Sequence, residues 1–342
     1  MSAEEQERII EEAEAQSAEI AELQDQAGNK LEAILTAALL AVLPSILRAY
    51  RRYTSILTPP SEGAPYLPRG TGLWANARRR ALQREIEGFT ADVDLDAVNA
   101  TVREVLQDAA RIGTAAATAL GNAADIVIDP TPLLGLEARA AAIVGRITAE
   151  LQTFQSIMSQ IVLDSAVQGF PGRRVERVII EAFQGVQQPD GTVQSRGLIQ
   201  RAAFSIETEV SVVSLEQQMQ AIRAAGQQYV RWVTAQDEKV CPFCASRHGR
   251  IYLSDRITIP AHMRCRCMAV PVPMPSPDAA PDDGFWRDEY ARTVAAFAAA
   301  NNLSPDDAAA RLRSYRDRPT QAERLRYPGI DDAPLPIWQP PE

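Results

Sequence analysis

The chain has 342 residues, of which 46% are hydrophobic and 23% are charged, and this composition excludes a globally disordered protein. The length provides apolar material for about two or three domain-sized cores. Aromatic residues make up only 6% and alanine-rich blocks recur, which favours helices packed through small side chains over an all-β fold. The formal net charge of −9 excludes a generally basic, nucleic-acid-binding protein, so any contact with DNA would have to be local.

Residues 1–57 are predicted to form an N-terminal helical arm. The first residues are acidic, whereas a secretory leader needs a basic start, so we expect no leader and assembly in the cytoplasm. Apolar side chains follow at three- and four-residue steps over 31–47, as in an amphipathic helix. The apolar run 33–47 is shorter than the roughly 20 residues that span a bilayer, which predicts a buried or partner-facing helix without stable membrane insertion. The polar half up to Asp25 fits either a solvated helix or coiling against another subunit.

A proline- and glycine-rich linker is predicted at 58–72, and a helical body at 73–169. Within the body, we expect helix breaks between residues 88 and 96 and between residues 125 and 136. The clearest helix carries apolar residues that step by three or four positions, which indicates a stripe facing the core. The stripe consists of Ile143, Ile147, Leu151, Phe154, Met158, Ile161 and Ser165.

The next predicted domain is a module at 170–272, with helices near 173–183 and 197–225. Three short strands that can pair with one another are predicted at 229–234, 250–253 and 267–272. Residues 273–342 are predicted to form a proline-rich linker, two short helices and an extended tail. The expected fold class is therefore mainly α, a helical body with a small α+β zinc-binding module whose short antiparallel sheet lies near 229–272.

All four cysteines and both histidines of the chain lie within 27 consecutive positions, at 241–267. A Cys-x2-Cys pair is followed about 20 residues later by a His-x2-Cys-x-Cys group, a spacing typical of zinc ligands. The candidate metal ligands are Cys241, Cys244, His262, Cys265 and Cys267. Because zinc takes four ligands, one candidate is expected outside the coordination sphere, and four thiolates or three thiolates with His262 both remain open. The remaining histidine, His248, is expected at the surface.

The metal is expected to be a structural Zn²⁺ ion that stabilises a small module with too little core of its own. A hydrolytic zinc site would need an open coordination position and a nearby carboxylate base. Asp237, Glu238 and Asp255 are close in the sequence, but nothing in the sequence positions them at the metal. Disulfides are disfavoured by the cytoplasmic character of the chain.

The charge inverts locally around the cysteines, with five arginines and one aspartate between Cys241 and Val272. Arginines can bind phosphate groups, and they can equally pair with acidic residues of this chain or of a partner. The candidates for phosphate or partner contact are Arg247, Arg250, Arg264 and Arg266.

The sequence around the cysteines resembles the signature of the phage Mu F-like minor head proteins, also called head morphogenesis proteins. The shared pattern is a Trp-x-Thr strand, an Asp before a Val-Cys-Pro-x-Cys pair, a Gly in the next turn, and a Pro-x-His-x-x-Cys-Arg-Cys close. It is matched by Trp232, Thr234, Asp237, Val240, Cys241, Pro242, Cys244, Gly249, Pro260, His262, Cys265, Arg266 and Cys267. The resemblance covers residues 170–272, and it departs from the family in the preceding helix, where the usual Arg-Thr-Glu reads Glu207-Thr208-Glu209.

The resemblance implies a structural protein of the virion of a tailed phage or prophage, built into the head near the portal. Its implied role is head assembly or DNA delivery, and its implied partners are the portal protein, capsid or scaffold proteins and packaged DNA. Neither enzymatic activity nor a small-molecule substrate is implied. Some relatives carry a toxin domain after this module, but the 70 residues after Val272 are too few for one of ordinary size. The alternative is a zinc-containing DNA-binding or nuclease-like factor that acts during DNA packaging.

Overall fold

The computed structural model describes residues 3–55, 57–58, 67–68, 72–128, 135–187, 193–234, 241–272, 283–316, 318–319 and 324. In this part of the chain the helices are α1 (Ala3–Thr54), α2 (Gly72–Asp92), α3 (Leu95–Ala123), α4 (Leu136–Val167), α5 (Gly172–Gln184), α6 (Leu198–Ala224), α7 (Pro242–Ala245), α8 (Asp283–Asn301) and α9 (Pro305–Arg316). The strands are β1 (Leu57–Thr58), β2 (Leu67–Pro68), β3 (Gly185–Gln187), β4 (Val193–Arg196), β5 (Tyr229–Val233), β6 (Ile251–Leu253) and β7 (Met268–Val272). The predicted fold class, mainly α with a small α+β module, is confirmed.

The largest sheet in the described residues is antiparallel and has the strand order β6-β5-β7. Tyr229 pairs with Leu253 on one side and with Val272 on the other, so β5 is the central strand. These three strands are the ones predicted from the sequence, and the pairing brings the two cysteine-containing segments to one end of the sheet.

The chain divides into two compact units that each combine distant stretches of sequence. The first unit contains Met1–Asp25, Val105–Leu136 and Glu207–Glu342, and the second contains Gln26–Glu104 and Glu137–Ile206. Composition along the chain does not reveal such a division. The predicted sequence of arm, linker, body, module and tail stays a prediction.

The core of the second unit is built around three aromatic rings from α2, α4 and α5. The ring of Phe154 lies edge-on to Phe89 and Phe183, with centroid distances of 5.3 and 5.4 Å. The predicted stripe of α4 is buried as expected, except that Val162 is buried where Ile161 was predicted. The stripe therefore belongs to the core, as its spacing indicated.

Helix α1 continues through Pro44 to Thr54 and buries its apolar stripe inside the chain. Leu31, Leu35, Leu39 and Ile46 are at most 3% exposed, which supports the buried alternative of the prediction over the partner-facing one. Among the described residues, α1 is also the one helix long and apolar enough to cross a membrane by length and composition. A buried core helix passes the same test, and 44% of its most apolar window is buried.

Helices α3 and α6 of the first unit approach each other closely at Gly113. A Cβ atom at this position would overlap the backbone oxygen of Ser214 and lie 2.9 Å from Cβ of Gln217. Next to this contact, the side-chain amide of Gln217 donates a hydrogen bond to Thr114 at 3.0 Å. The close approach therefore depends on the absence of a side chain at Gly113.

Replacing Gly113 by alanine should destabilise the protein by about 1–3 kcal/mol, because α6 would have to move away from α3. The matched control is Gly145→Ala in α4, where nothing lies within 4 Å of the added methyl group. Since alanine favours helix over glycine, the control should stabilise by up to about 1 kcal/mol. Urea unfolding of both variants measures the difference, and a Gly113→Ala variant as stable as the control would contradict the close approach.

Candidate metal centre

The first two candidate ligands lie on a short helix that follows the central strand. Cys241 is the N-cap of α7, and its Sγ atom accepts a hydrogen bond from the backbone N–H of Cys244 at 3.4 Å. Pro242 occupies the first helical position, where its missing N–H costs no hydrogen bond. After α7 the chain turns back to the sheet at Gly249, whose φ of +77° suits glycine and whose N–H donates to Trp232 O at 2.8 Å.

The other three candidate ligands approach from the loop before β7. The Nε2 atom of His262 lies 3.1 Å from Sγ of both Cys241 and Cys244. Sγ of Cys244 also lies 3.9 Å from Sγ of Cys265. The five side chains form two groups, Cys241 with Cys244 and His262, and Cys244 with Cys265 and Cys267, within which all ligand atoms are at most 4.8 Å apart. All five predicted ligands are thus brought together, and Cys244 belongs to both groups.

The distance between the sulfur atoms of Cys244 and Cys265 suits two ligands of one tetrahedral ion. Bonds of about 2.3 Å from a metal to sulfur place two sulfur ligands roughly 3.8 Å apart, close to the separation of Cys244 and Cys265. Cys244, Cys265 and Cys267 are buried, whereas His262 is exposed and Cys241 is half-buried. The cluster could therefore hold a metal ion at the edge of the core, open to solvent on the histidine side.

The ring of His262 is oriented for ligation by a contact to the backbone. Its Nδ1 atom lies 2.8 Å from the carbonyl oxygen of Met263. Because a carbonyl oxygen can only accept, Nδ1 carries a proton, which leaves Nε2 as the ring atom that a metal ion would bind. Such a second contact is the usual way in which proteins fix the tautomer of a metal-binding histidine.

The pKa values of the cysteines and of His262 are shifted in opposite directions within the cluster. The hydrogen bond from Cys244 lowers the pKa of Cys241 to about 5. Burial opposes protonation of His262, but contacts with Cys241 and Cys265 raise its pKa to about 11. A hydrogen bond to Cys241 raises the pKa of Cys244, and burial raises that of Cys267. A divalent cation would displace these protons and allow more of the thiols to ionise.

Two helices that are distant in the sequence hold residues 254–267 in place, the ligand loop that carries His262, Cys265 and Cys267. The hydroxyl group of Ser17 in α1 donates to the backbone oxygen of Arg266 at 2.9 Å. The guanidinium group of Arg223 in α6 donates to the backbone oxygens of Ser254 and Ile257 at 2.6 and 3.1 Å. Neither support is predictable from the sequence, because neither side chain belongs to a recognisable motif.

The helical pair α8–α9 packs on the other side of the cysteine helix. Ala245 of α7 belongs to a buried cluster with Val294, Phe297, Ala298, Ala308 and Leu312. The ring of Phe243 lies edge-on to Tyr315 with a centroid distance of 5.9 Å. The two helices were predicted from the sequence. At the start of α9 the hydroxyl group of Ser304 accepts a hydrogen bond from Asp307 N at 3.1 Å. The packing of these two helices against α7 was not predicted.

The prediction that His248 lies at the surface is wrong, because the side chain is fully buried. Its Nδ1 atom accepts a hydrogen bond from the backbone N–H of Thr234 at 3.2 Å, and its ring lies 6.0 Å from that of Trp286. Burial, followed by the charges of Arg231 and Arg292, lowers its pKa to about 3. His248 is thus a neutral core residue that fixes the end of β5.

The predicted contact of Arg247 and Arg250 with phosphate or a partner is wrong, because both side chains are buried. Arg247 and Arg250 are at most 2% exposed, so they cannot reach phosphate groups or a partner at the surface. Arg247 donates to the backbone oxygen of Arg318 at 3.1 Å, and Arg250 to that of Ser246 at 2.9 Å. Each therefore binds the protein's own backbone.

The other two predicted arginines lie on the ligand loop. Arg264 is exposed and forms an ion pair of 3.0 Å with Glu207, while the side chain of Arg266 is half-buried. Burial raises the pKa of Glu207, and the charge of Arg264 opposes this increase. Contact of Arg264 or Arg266 with phosphate or a partner stays a prediction.

The buried state of His248 predicts a measurable pH dependence. Its pKa is about 3 in the folded chain and near the usual 6.5 when unfolded, so the unfolded chain binds more protons in this window. The contribution of neutral His248 to the free energy of unfolding is therefore complete above pH 6.5. It decreases as the pH falls, by up to about 1.4 kcal/mol per pH unit. We expect His248→Gln, which retains an acceptor for Thr234, to lose less stability on acidification than the natural chain. Equal losses in urea unfolding at several pH values would contradict a neutral buried histidine.

Within the described residues, neither ligand group includes a carboxylate. Asp255 lies exposed in the turn after β6, and Asp237 and Glu238 lie outside the described residues. The described part of the centre thus consists of thiol and imidazole groups. No protein-family model, curated protein or solved structure matches this chain.

Proposed function

We propose that this protein is a non-enzymatic minor head protein of a tailed phage or prophage, with a module cross-linked by Zn²⁺. It would be assembled in the host cytoplasm, become part of the virion head near the portal, and act in head assembly or DNA delivery. Its partners would be the portal protein and capsid or scaffold proteins.

The observation that carries this proposal is that the described signature residues surround the cluster of the five candidate ligands. Trp232 is fully buried in β5, and the hydroxyl group of Thr234 accepts from Sγ of Cys267 at 3.4 Å. Gly249 makes the turn back to Trp232, and Pro260 follows a cis peptide bond in the ligand loop. Those signature positions that the structure describes thus have a common structural task, which supports the resemblance.

Zinc fits the donor set better than other common ions. Thiolate and imidazole groups exclude Mg²⁺ and Ca²⁺, which prefer oxygen ligands, and three sulfurs with one nitrogen are a frequent set for structural zinc. We infer the ligands Cys241, Cys244, His262 and Cys265, because the contacts of 3.1 to 3.9 Å join them in a chain. Cys267 is engaged with Thr234, so it would remain outside the coordination sphere and support it.

Co-purification tests the proposed role. The tagged full chain is co-expressed with the portal, capsid and scaffold proteins of the same phage or prophage, and cross-linking mass spectrometry locates any contact. We expect a stable complex with the portal protein. A tagged, unrelated helical protein serves as the control for unspecific capture.

Two results would contradict the proposal. One is the absence of a complex with any of the three head proteins. The other is metal-dependent cleavage of DNA by the purified chain that disappears in Cys244→Ser, which would support the nuclease-like alternative.

A further inference from the structure

A second group of arginines lies far along the sequence from the metal centre, where three helices of the second unit meet. These residues are Arg51 and Arg52 at the end of α1, Arg78 in α2, and Arg173 and Arg174 in the first turn of α5. All are exposed except Arg78, which is half-buried. We refer to these five residues as the arginine surface.

Contacts between the three helices bring the chain segments that carry these arginines together. Arg78 donates to the backbone oxygen of Arg52 at 2.8 Å and to the hydroxyl group of Ser55 at 3.1 Å. Nε of Arg51 lies 3.5 Å from the position that a Cβ atom of Gly172 would occupy. The hydroxyl group of Tyr50 donates to the backbone oxygen of Phe170 at 2.7 Å, which fixes the end of α1 against the start of α5.

The chain segments that carry these arginines are poor in acidic residues. The stretches 33–55, 72–84 and 165–175 contain no Asp or Glu. Within the part of the chain that the structure describes, Arg51, Arg52, Arg173 and Arg174 form no ion pair. In a protein with a net charge of −9, such a concentration of guanidinium groups indicates an anionic partner with several charges.

We propose that the arginine surface binds the phosphate backbone of duplex DNA without reading its sequence. Guanidinium groups bind phosphate oxygens in a bidentate manner and stay charged at any physiological pH. The proposal does not rest on the role in head assembly, because the residues and contacts that carry it include none of the candidate metal ligands.

The other features of the surface favour duplex DNA over a single strand or a membrane. A single strand is usually held by stacking on open aromatic rings. Here Tyr53 and Phe170 are half-buried, and Arg174 covers the ring of Phe170 at 3.5 Å from its centroid. Among the described side chains of 48–55, 76–84 and 165–177, Val167 is the one large apolar side chain that is exposed. Anchoring a basic surface in a bilayer takes a larger apolar face than one valine.

Fluorescence anisotropy with a labelled duplex of random sequence tests the proposal on the full chain. The test variant is Arg51→Gln/Arg52→Gln/Arg173→Gln, and the matched control is Arg256→Gln/Arg287→Gln/Arg313→Gln, three arginines that are also exposed. Each phosphate contact changes affinity about threefold for a fourfold change in salt. We therefore expect the test variant to bind at least about tenfold more weakly at low salt, and its affinity to depend less on salt.

The Arg→Lys version of the test variant should retain most of the binding, because lysine keeps the charge. Equal weakening in the test and control variants would overturn the proposal, since binding would then follow net charge alone. Failure of the unmodified chain to bind the duplex at low salt would overturn it as well. Binding to vesicles of phosphatidylserine and phosphatidylcholine, without binding to the duplex, would assign the surface to a membrane instead. Circular dichroism verifies that all variants are folded.

Discussion

Replacing Cys244 by serine should release the metal and destabilise the first unit by at least about 3 kcal/mol. Cys244 is the one residue that belongs to both ligand groups, so its loss removes the ligand that joins Cys241 and His262 to Cys265 and Cys267. The free energy of metal binding contributes directly to folding at structural zinc sites, and in isolated zinc-finger peptides it reaches about 10–16 kcal/mol. The measurements are metal content by mass spectrometry of the purified chain and thermal unfolding with and without a chelator.

Cys267→Ser is the matched control, because a serine hydroxyl group can maintain the hydrogen bond to Thr234. We expect this variant to retain one metal ion per chain, whereas His262→Gln should lose it. A chelator should lower the melting temperature of the natural chain and leave Cys244→Ser unchanged. If Cys267→Ser loses the metal and His262→Gln retains it, the ligands are the four thiolates. If Cys244→Ser retains metal and melts like the natural chain, the cluster is not a metal centre.

Replacing Trp286 by alanine should cost about 3–5 kcal/mol, the usual range for a large aromatic residue in a core. The side chain is fully buried, and the guanidinium group of Arg231 lies 4.0 Å from the centroid of its ring. The ring also lies 6.0 Å from that of His248. The substitution would leave a cavity and expose the charge of Arg231, which is otherwise covered in the core.

The expected result is a lower free energy of unfolding together with faster loss of metal to a chelator, because Trp286 joins α8 to the sheet that supports the centre. Phe285→Ala is the matched control, since the neighbouring aromatic ring is only half-buried, and it should cost about 1 kcal/mol or less. If metal release is equally fast in both variants, the packing of α8 does not stabilise the metal centre.

Local patterns were sufficient to predict the helices, the three central strands and all five candidate ligands. Residues 143–165 repeat their apolar side chains with the helical period, and the Cys and His residues occur at spacings typical of metal ligands. Both properties depend only on neighbours in the chain, so they can be recognised from the sequence. The extended tail that was predicted at the end of 273–342 lies outside the described residues.

Only the tertiary structure decided which polar side chains are buried and which helices support the site. Arg247, His248 and Arg250 lie in the polar stretch 246–250 of the sequence, yet all three side chains are buried. Ser17 contacts the loop at Arg266 across 249 positions of the chain. The arginine surface likewise depends on three chain segments that meet in space. Burial and long-range contact are sums over the whole packed molecule, so no window of sequence contains them, whereas a ligand spacing or a helical repeat is complete within one window.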